Sequence, residues 1–292
     1  MSWIEISFET FKPQAQTFSD LLEELGAVSV SFFDASNQPI LEPKPGKTPL
    51  WQKVKMVGLF PADFDTKPVL QALKNLLPNT SINQSTLAEQ DWSRTWLEHF
   101  KPIQFGEKLW VIPSDSPPPE QTDAVIIKLD PGLAFGTGTH ATTALCLRWL
   151  DAHPPLNQTV VDYGCGSGIL GIGALKLGAQ KVHAIDYDPQ ALTATLENRI
   201  RNEIVEDKLS VYLPEDAPKD LNAELILANI LAEPLISLCP TFAALLNQDG
   251  NLVMSGLLTK QIEAVTSAYD ALFIVREIQT EDEWALLWLV RK

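Results

Sequence analysis

The chain has 292 residues, is 45% hydrophobic and carries a formal net charge of -15 at pH 7, enough length for two domains with their own cores. The acidity excludes a general affinity for nucleic acid backbone; it suits a basic protein partner or serves solubility alone. Cys146, Cys165 and Cys239 are scattered and form no C-x-x-C pair, which excludes a disulfide framework and a cysteine zinc site. With no signal-peptide pattern and no stretch long enough to span a bilayer, a cytoplasmic protein is expected.

Residues 3–9 alternate, with Ile4, Ile6 and Phe8 on one side, and predict a strand with one buried face. Pro13 opens a helix whose Phe18, Leu21, Leu22 and Leu25 share a stripe, and Gly26 stops it. Residues 27–33 predict a second strand, and the proline- and glycine-rich 37–49 a loop. A second round follows: a strand over 51–60, a helix over 68–77 with Val69, Leu70, Leu73, Leu76 and Leu77 inward, and a weaker strand over 81–87. This β-α-β-β-α-β order predicts a ferredoxin-like α+β domain over residues 1–90. It carries no catalytic constellation, so substrate binding is its expected role.

Residues 91–108 are predicted to connect the two domains, beginning with a helical segment over 91–100 that carries Trp92, Trp96 and His99. There His99 is either a base or structural. Residues 102–113 predict a hairpin, and 124–129 an apolar strand. The strand leads into Asp130-Pro131-Gly132-Leu133-Ala134-Phe135-Gly136-Thr137-Gly138-Thr139-His140, a run too polar and glycine-rich for a core. Thr139 or a following threonine is expected to cap the helix that runs on to Leu150.

The second domain, residues 109–292, is organised around Val160-Val161-Asp162-Tyr163-Gly164-Cys165-Gly166-Ser167-Gly168. A strand over 159–161 enters a turn with three alternate glycines, and a helix over 169–177 leaves it. Strand, glycine turn and helix open a nucleotide site in doubly wound sheets, where the helix N-terminus offers backbone N–H groups. The next strand, 181–185, ends in Asp186, at the spacing where such folds place a carboxylate on a ribose. Asp188-Pro189 caps a helix over 189–202 with Leu192, Leu196 and Ile200 on one side. Strands over 209–213, 225–228, 251–255, 272–278 and 284–290 alternate with helices over 234–246 and 260–271.

A dehydrogenase loop reads G-x-G-x-x-G, and Ile169 holds the position of its third glycine. Asp162 followed by G-x-G-x-G instead resembles motif I of the class I S-adenosylmethionine-dependent methyltransferases. Together with motif I, the Pro131–His140 run closely resembles the P-G-x-A-F-G-T-G-x-H signature of the bacterial methyltransferase family that modifies the eleventh protein of the large ribosomal subunit. The resemblance implies a seven-stranded Rossmann-like α/β sheet whose last strand inserts antiparallel, preceded by a small substrate-binding domain. It implies S-adenosylmethionine as cofactor, held by Thr143, Asp162, Gly164, Gly166, Asp186 and Asn229, with Asp216 toward the adenine. Phe135 and Thr137 would cover the reacting centre, and no metal is implied. The implied partner is that ribosomal protein before assembly, with lysine and possibly N-terminal amines as methyl acceptors, and with neither nucleic acid nor membrane.

Asn229 ends the 225–228 strand, where parallel sheets place ligands. It is either a helix cap or, with the Ile230 carbonyl, an acceptor for a substrate amine. Asn229-Ile230-Leu231-Ala232 lacks the prolines and aromatic of methyltransferases that modify bases and amides, and agrees with the ribosomal-protein family. Trp284 either walls the amine pocket or packs in the core. The alternatives to a protein methyltransferase are an NAD-dependent oxidoreductase and a non-catalytic ribosome-assembly factor on the same fold.

Overall fold

The computed structural model describes residues 2–36, 49–87, 101–130 and 140–292. The loop expected over 37–49 lies mostly outside them, and the helix expected over 91–100, with Trp92, Trp96 and His99, lies wholly outside. The chain divides into two compact units, Met1–Trp92 and Ser93–Lys292.

In the first unit, β1 (Trp3–Phe11), β2 (Ser29–Asp34), β3 (Lys53–Pro61) and β4 (Ile82–Leu87) form an antiparallel sheet in the order β2-β3-β1-β4. This is the ferredoxin-like order. Helices α1 (Lys12–Glu24) and α2 (Lys67–Leu76) follow β1 and β3. Period-two alternation sends Ile6, Phe8, Met56 and Phe60 to the face where Phe18, Leu22, Val69 and Leu73 complete the core. Leu76, expected inward, is exposed because α2 ends there and its buried stripe is carried by Val69 and Leu73.

The second unit begins with a three-stranded sheet of β5 (Ile103–Phe105), β6 (Leu109–Ile112) and β7 (Val125–Lys128). β5 pairs antiparallel with β6, so the boundary expected at residue 109 falls inside one hairpin. The Asp151 carboxylate fastens that hairpin's turn by accepting from the N–H groups of Glu107, Lys108 and Leu109 at 2.5, 3.1 and 2.9 Å.

The main sheet comprises β8 (Thr159–Tyr163), β9 (Lys181–Ile185), β10 (Leu209–Tyr212), β11 (Ala223–Asn229), β12 (Leu246–Leu258), β13 (Phe273–Glu281) and β14 (Trp284–Arg291). Their order is β10-β9-β8-β11-β12-β14-β13, parallel except that β14 pairs antiparallel with both β12 and β13. Strands buried on both faces read as unbroken apolar runs, as Val160-Val161 and Leu225-Ile226-Leu227-Ala228 do. One face packs on α3 (Ala141–Ala152) and α4 (Ile169–Lys176), and α5 (Pro189–Arg201) follows β9. The other packs on α6 (Ala232–Ser237), α7 (Cys239–Leu245) and α8 (Ile262–Tyr269).

The single helix expected over 234–246 is two. Pro240 lacks an N–H and sits in the first turn of α7, so the chain restarts a helix at Cys239. No helix among the described residues is long and apolar enough to cross a membrane.

Candidate active site

The C-terminal ends of β8, β9 and β11 converge with the start of α3. After Tyr163 the chain reverses through Gly164, Gly166 and Gly168, at φ of 76°, 54° and 76°. Such angles disfavour side chains. The turn is bound to its neighbour, because the N–H groups of Gly164 and Cys165 both donate to the Ile185 carbonyl, at 2.7 and 3.1 Å. Gly168 then caps α4.

Asp162 ends the buried part of β8 at 1% exposure. Its Oδ2 accepts from the Gly171 N–H at 2.8 Å. Burial pushes its pKa up to about 7, against the lowering effect of that bond, and the Asp186 charge pushes the same way. Gly171 was not marked by the sequence, yet a Cβ there would lie 2.8 Å from Val182 Cγ1 and 3.1 Å from Asp162 Oδ2.

Asp186, also buried, accepts from the Gly166 N–H at 2.9 Å through Oδ2 and from the Asp188 N–H at 3.0 Å through Oδ1. Each oxygen keeps lone-pair capacity for a further donor. The Asp188 side chain caps α5 by accepting from the Gln190 N–H at 2.9 Å, as the sequence predicts.

Asn229 stands at the end of β11. Its Nδ2 donates to Thr143 Oγ1 at 3.1 Å, and its buried Oδ1 has no partner among the described residues. A buried carbonyl oxygen left unpaired costs free energy, about 1–3 kcal/mol, and invites a donor. Ile230 joins the two halves of the site. A Cβ on Gly164 would meet Ile230 Cγ2 at 2.2 Å, and one on Gly256, at φ +86°, would meet the Ile230 carbonyl oxygen at 2.4 Å.

The cap of α3 is His140, not a threonine. Its Nδ1 lies 2.8 Å from Thr142 Oγ1 and accepts from the Thr142 N–H, while Thr142 and Thr143 are buried inside the helix. The His140 ring meets Trp284 edge-on at 4.8 Å, and burial lowers its pKa. Trp284 also packs partly against the core, as the second of its two readings expects. Asp216 is exposed in a short 3-10 turn after β10. Phe135 and Thr137 lie outside the described residues.

Thus Gly166 bonds Asp186, with Asp162 bonded to Gly171 and Gly164 to the Ile185 carbonyl in the same turn, while Thr143 and Asn229 form a second pair; Ile230 adjoins Asn229 and packs on Gly164. Ile169, at the position of a dehydrogenase's third glycine, is buried against the core. The set fits an adenosyl cofactor: a carboxylate with spare acceptor capacity follows β9, a glycine turn precedes a helix N-terminus, and a buried acceptor awaits a donor.

A sheet in this order, with a glycine turn after β8 and an acid after β9, is that of a class I S-adenosylmethionine-dependent methyltransferase. Over residues 2–292 the chain matches the family described as Ribosomal protein L11 methyltransferase (PrmA), and it belongs to that family. The Ribosomal protein L11 methyltransferase of Shewanella sp. strain W3-18-1 is 48% identical over 295 residues, and that of Shewanella pealeana 49% over 296, each covering 100% of both chains. Among solved structures, the ribosomal protein L11 methylase of Lactobacillus delbrueckii subsp. bulgaricus aligns with TM-score 0.61 and 35% identity, over 66% of this chain and 100% of its own.

Proposed function

We propose that the protein transfers methyl groups from S-adenosylmethionine to amines of ribosomal protein L11, at lysine side chains and the N-terminus. The observation that carries this reading is the buried Oδ1 of Asn229, which has no partner among the described residues and is aimed by the Nδ2 bond to Thr143.

The bound cofactor supplies an electrophilic methyl on sulfur. The protein must then deliver a neutral amine with its lone pair along the carbon–sulfur axis, which is mostly positioning. A lysine of pKa near ~10.4 costs roughly 4–5 kcal/mol to deprotonate at pH 7. Burial beside neutral groups lowers that cost, and Asn229 and Thr143 are neutral. Asn229 Oδ1 would accept one amine N–H and leave the lone pair free. Asp186 would receive the ribose hydroxyls, Gly164 and Gly166 would let the cofactor approach backbone, and Asp162 would lie toward the methionine end. Phe135 and Thr137 would cover the reacting centre.

The small unit, within residues 1–90, would recruit the substrate; it has a folded core and, among its described residues, no buried acid or amide. A net charge of -15 suits a basic ribosomal protein free in the cytoplasm before assembly. The test is labelled methyl transfer to purified L11 by wild type, Asn229→Ala and Asn229→Asp across pH. The alanine variant should lose on the order of a hundredfold in rate. The aspartate should recover as pH rises, because its charge favours the ammonium form. Wild-type rates in the alanine variant would mean the amine is held elsewhere.

A further inference from the structure

The buried face of α5 carries polar side chains beside Ala191. Leu192 and Leu196 are half-buried and Ile200 is 68% exposed, whereas Thr195 and Asn198, with Asn202 at the C-terminal cap, are buried. These three lie at i, i+3 and i+7 on one stripe. A helix that only had to cover a sheet would turn its leucines in, since two buried carboxamides yield little net stability against an apolar face. Each buried group is instead matched to backbone, Thr195 and Asn198 to the glycine turn and Asn202 to the end of β7.

Thr195 Oγ1 donates to the Gly166 carbonyl at 3.1 Å, and Asn198 Nδ2 donates to the Ser167 carbonyl at 2.8 Å. Holding the Gly166 carbonyl fixes the direction of the Ser167 N–H on the other side of the same peptide plane. The contact is close, since a Cβ on Gly168 would lie 2.8 Å from Thr195 Cγ2. At the other end of the helix, Asn202 acts on β7 like an added strand. Its Oδ1 accepts from the Lys128 N–H and its Nδ2 donates to the Lys128 carbonyl, both at 2.8 Å.

Arg201 links the two ends. Its Nη1 donates to Asn198 Oδ1, and its Nε pairs with Asp130 Oδ2 at 3.2 Å. Asp130 in turn accepts from the Ser114 N–H and Oγ at 2.8 and 2.7 Å. It is the last described residue before the glycine-rich motif of 131–139.

We propose that Asn198 and Arg201 are positioning residues for methyl transfer, a relay that ties the Ser167 carbonyl of the cofactor loop to Asp130 at the exit of β7. The planar guanidinium is suited to the task because it holds a carboxamide oxygen and a carboxylate at once, which a lysine cannot do in the same plane. The proposal rests on the cofactor reading given above. Wild-type binding of S-adenosylhomocysteine tests that reading separately.

The experiment uses near-isosteric variants of the full chain, with calorimetry on S-adenosylhomocysteine, kcat on L11 and thermal melting for each. Asn198→Asp keeps a partner for Arg201 but replaces the donor to the Ser167 carbonyl by a carboxylate oxygen, so that contact turns from attractive to repulsive. Its affinity for S-adenosylhomocysteine should fall about tenfold or more. Arg201→Gln cuts the relay beyond Asn198, so affinity should stay within about threefold while kcat falls at least about fivefold. Asp130→Asn should add little to kcat loss in the Arg201→Gln background, since both cut one link. Arg201→Lys, which restores only the ion pair, should recover kcat in part.

Losses from Arg201→Gln and Asp130→Asn that multiply independently would overturn the relay. So would variants that melt earlier yet keep affinity and kcat within about twofold of wild type, for then the seam only supports the fold. If wild type fails to bind S-adenosylhomocysteine, the cofactor reading falls first; if it binds and the variants match it, only the relay falls.

Discussion

Among the described residues of the unit that ends at Trp92, the buried polar side chains are the hydroxyls of Ser7, Thr10, Ser19 and Thr66, around a core of Ile6, Phe8, Leu22, Met56 and Phe60. In the unit that follows, Asp162, Asp186, His183, Asn198 and Asn202 are buried as well. A buried hydroxyl is cheaply satisfied by nearby backbone, whereas a buried carboxylate is costly unless its environment is arranged for it. The difference separates a domain whose interior serves folding from one whose interior serves a ligand. Asp162, Asp186, Asn198 and Asn202 lie at the C-terminal strand ends or beneath the glycine turn. On the function proposed above, the small unit would contribute surface and the large unit chemistry.

That contrast can be broken or sharpened by asking how far cofactor affinity follows each region. The largest loss is expected from Asp186→Ala. Losing hydrogen bonds to a charged acceptor costs about 3 kcal/mol, roughly a hundredfold or more in affinity for S-adenosylhomocysteine. Calorimetry that finds the dissociation constant within about threefold of wild type would remove Asp186 from the ribose assignment.

Gly164→Ala comes next. The residue has φ +76° and its Cβ would press on Ile230 Cγ2 at 2.2 Å. Strain of this kind is worth about 1–3 kcal/mol, so affinity should drop on the order of thirtyfold. Because Ile230 adjoins Asn229, kcat should fall as well. An unchanged kcat would show that the glycine turn and the amine acceptor are independent.

Asp162 gives a smaller, pH-dependent effect. Its folded-state pKa of about 7 lies above the ordinary 3.8, so the cofactor-free protein holds a proton that the unfolded chain has lost. Stability of the cofactor-free protein should decline as pH rises from about 4 to about 7. If the bound cofactor's ammonium needs the carboxylate, affinity should rise up to about tenfold per pH unit below 7 and level off above. Asp162→Asn should flatten that rise; a wild-type profile flat from pH 5 to pH 7 would mean Asp162 is already ionised without ligand.

The smallest effect on the cofactor is expected from Leu22→Ala. Its cavity should destabilise the small unit by about 3 kcal/mol, visible as an earlier melting transition or faster amide exchange in β1 and β3. Affinity for S-adenosylhomocysteine should stay within about twofold. A larger loss would show that the small unit supports the cofactor site and would undo the contrast.

Much of the site was legible because it is local. Asp162, the glycines and Ile169 are consecutive or nearly so, and Asp186 ends the very next strand. Spacing alone carries that information, since each residue acts through its own backbone conformation. The α5 seam was not legible. The stripe of Leu192, Leu196 and Ile200 is only half-buried or exposed, because the partners that draw Thr195 and Asn198 inward are carbonyls 29 and 31 residues away in the chain. The cap of α3 was misplaced for a related reason. Threonine has the better local propensity for a cap, but Thr142 and Thr143 turn inward, and His140 takes the end of the helix against Trp284, 144 residues on by number.

By itself, then, the sequence determined the alternation of strands and helices, the ferredoxin-like order of the first unit, the glycine turn and its acids, because turn geometry, burial period and capping are properties of neighbouring residues. Tertiary structure decided which atoms are left without partners. Asn229 Oδ1 is an open acceptor only because Thr143, 86 residues earlier, occupies the other end of the same carboxamide. Asp162 is raised toward neutrality only because the fold excludes water from the end of β8 and sets Asp186 near it. Hydrogen-bond capacity and desolvation are sums over everything that surrounds a group, and no local pattern in the chain contains that sum.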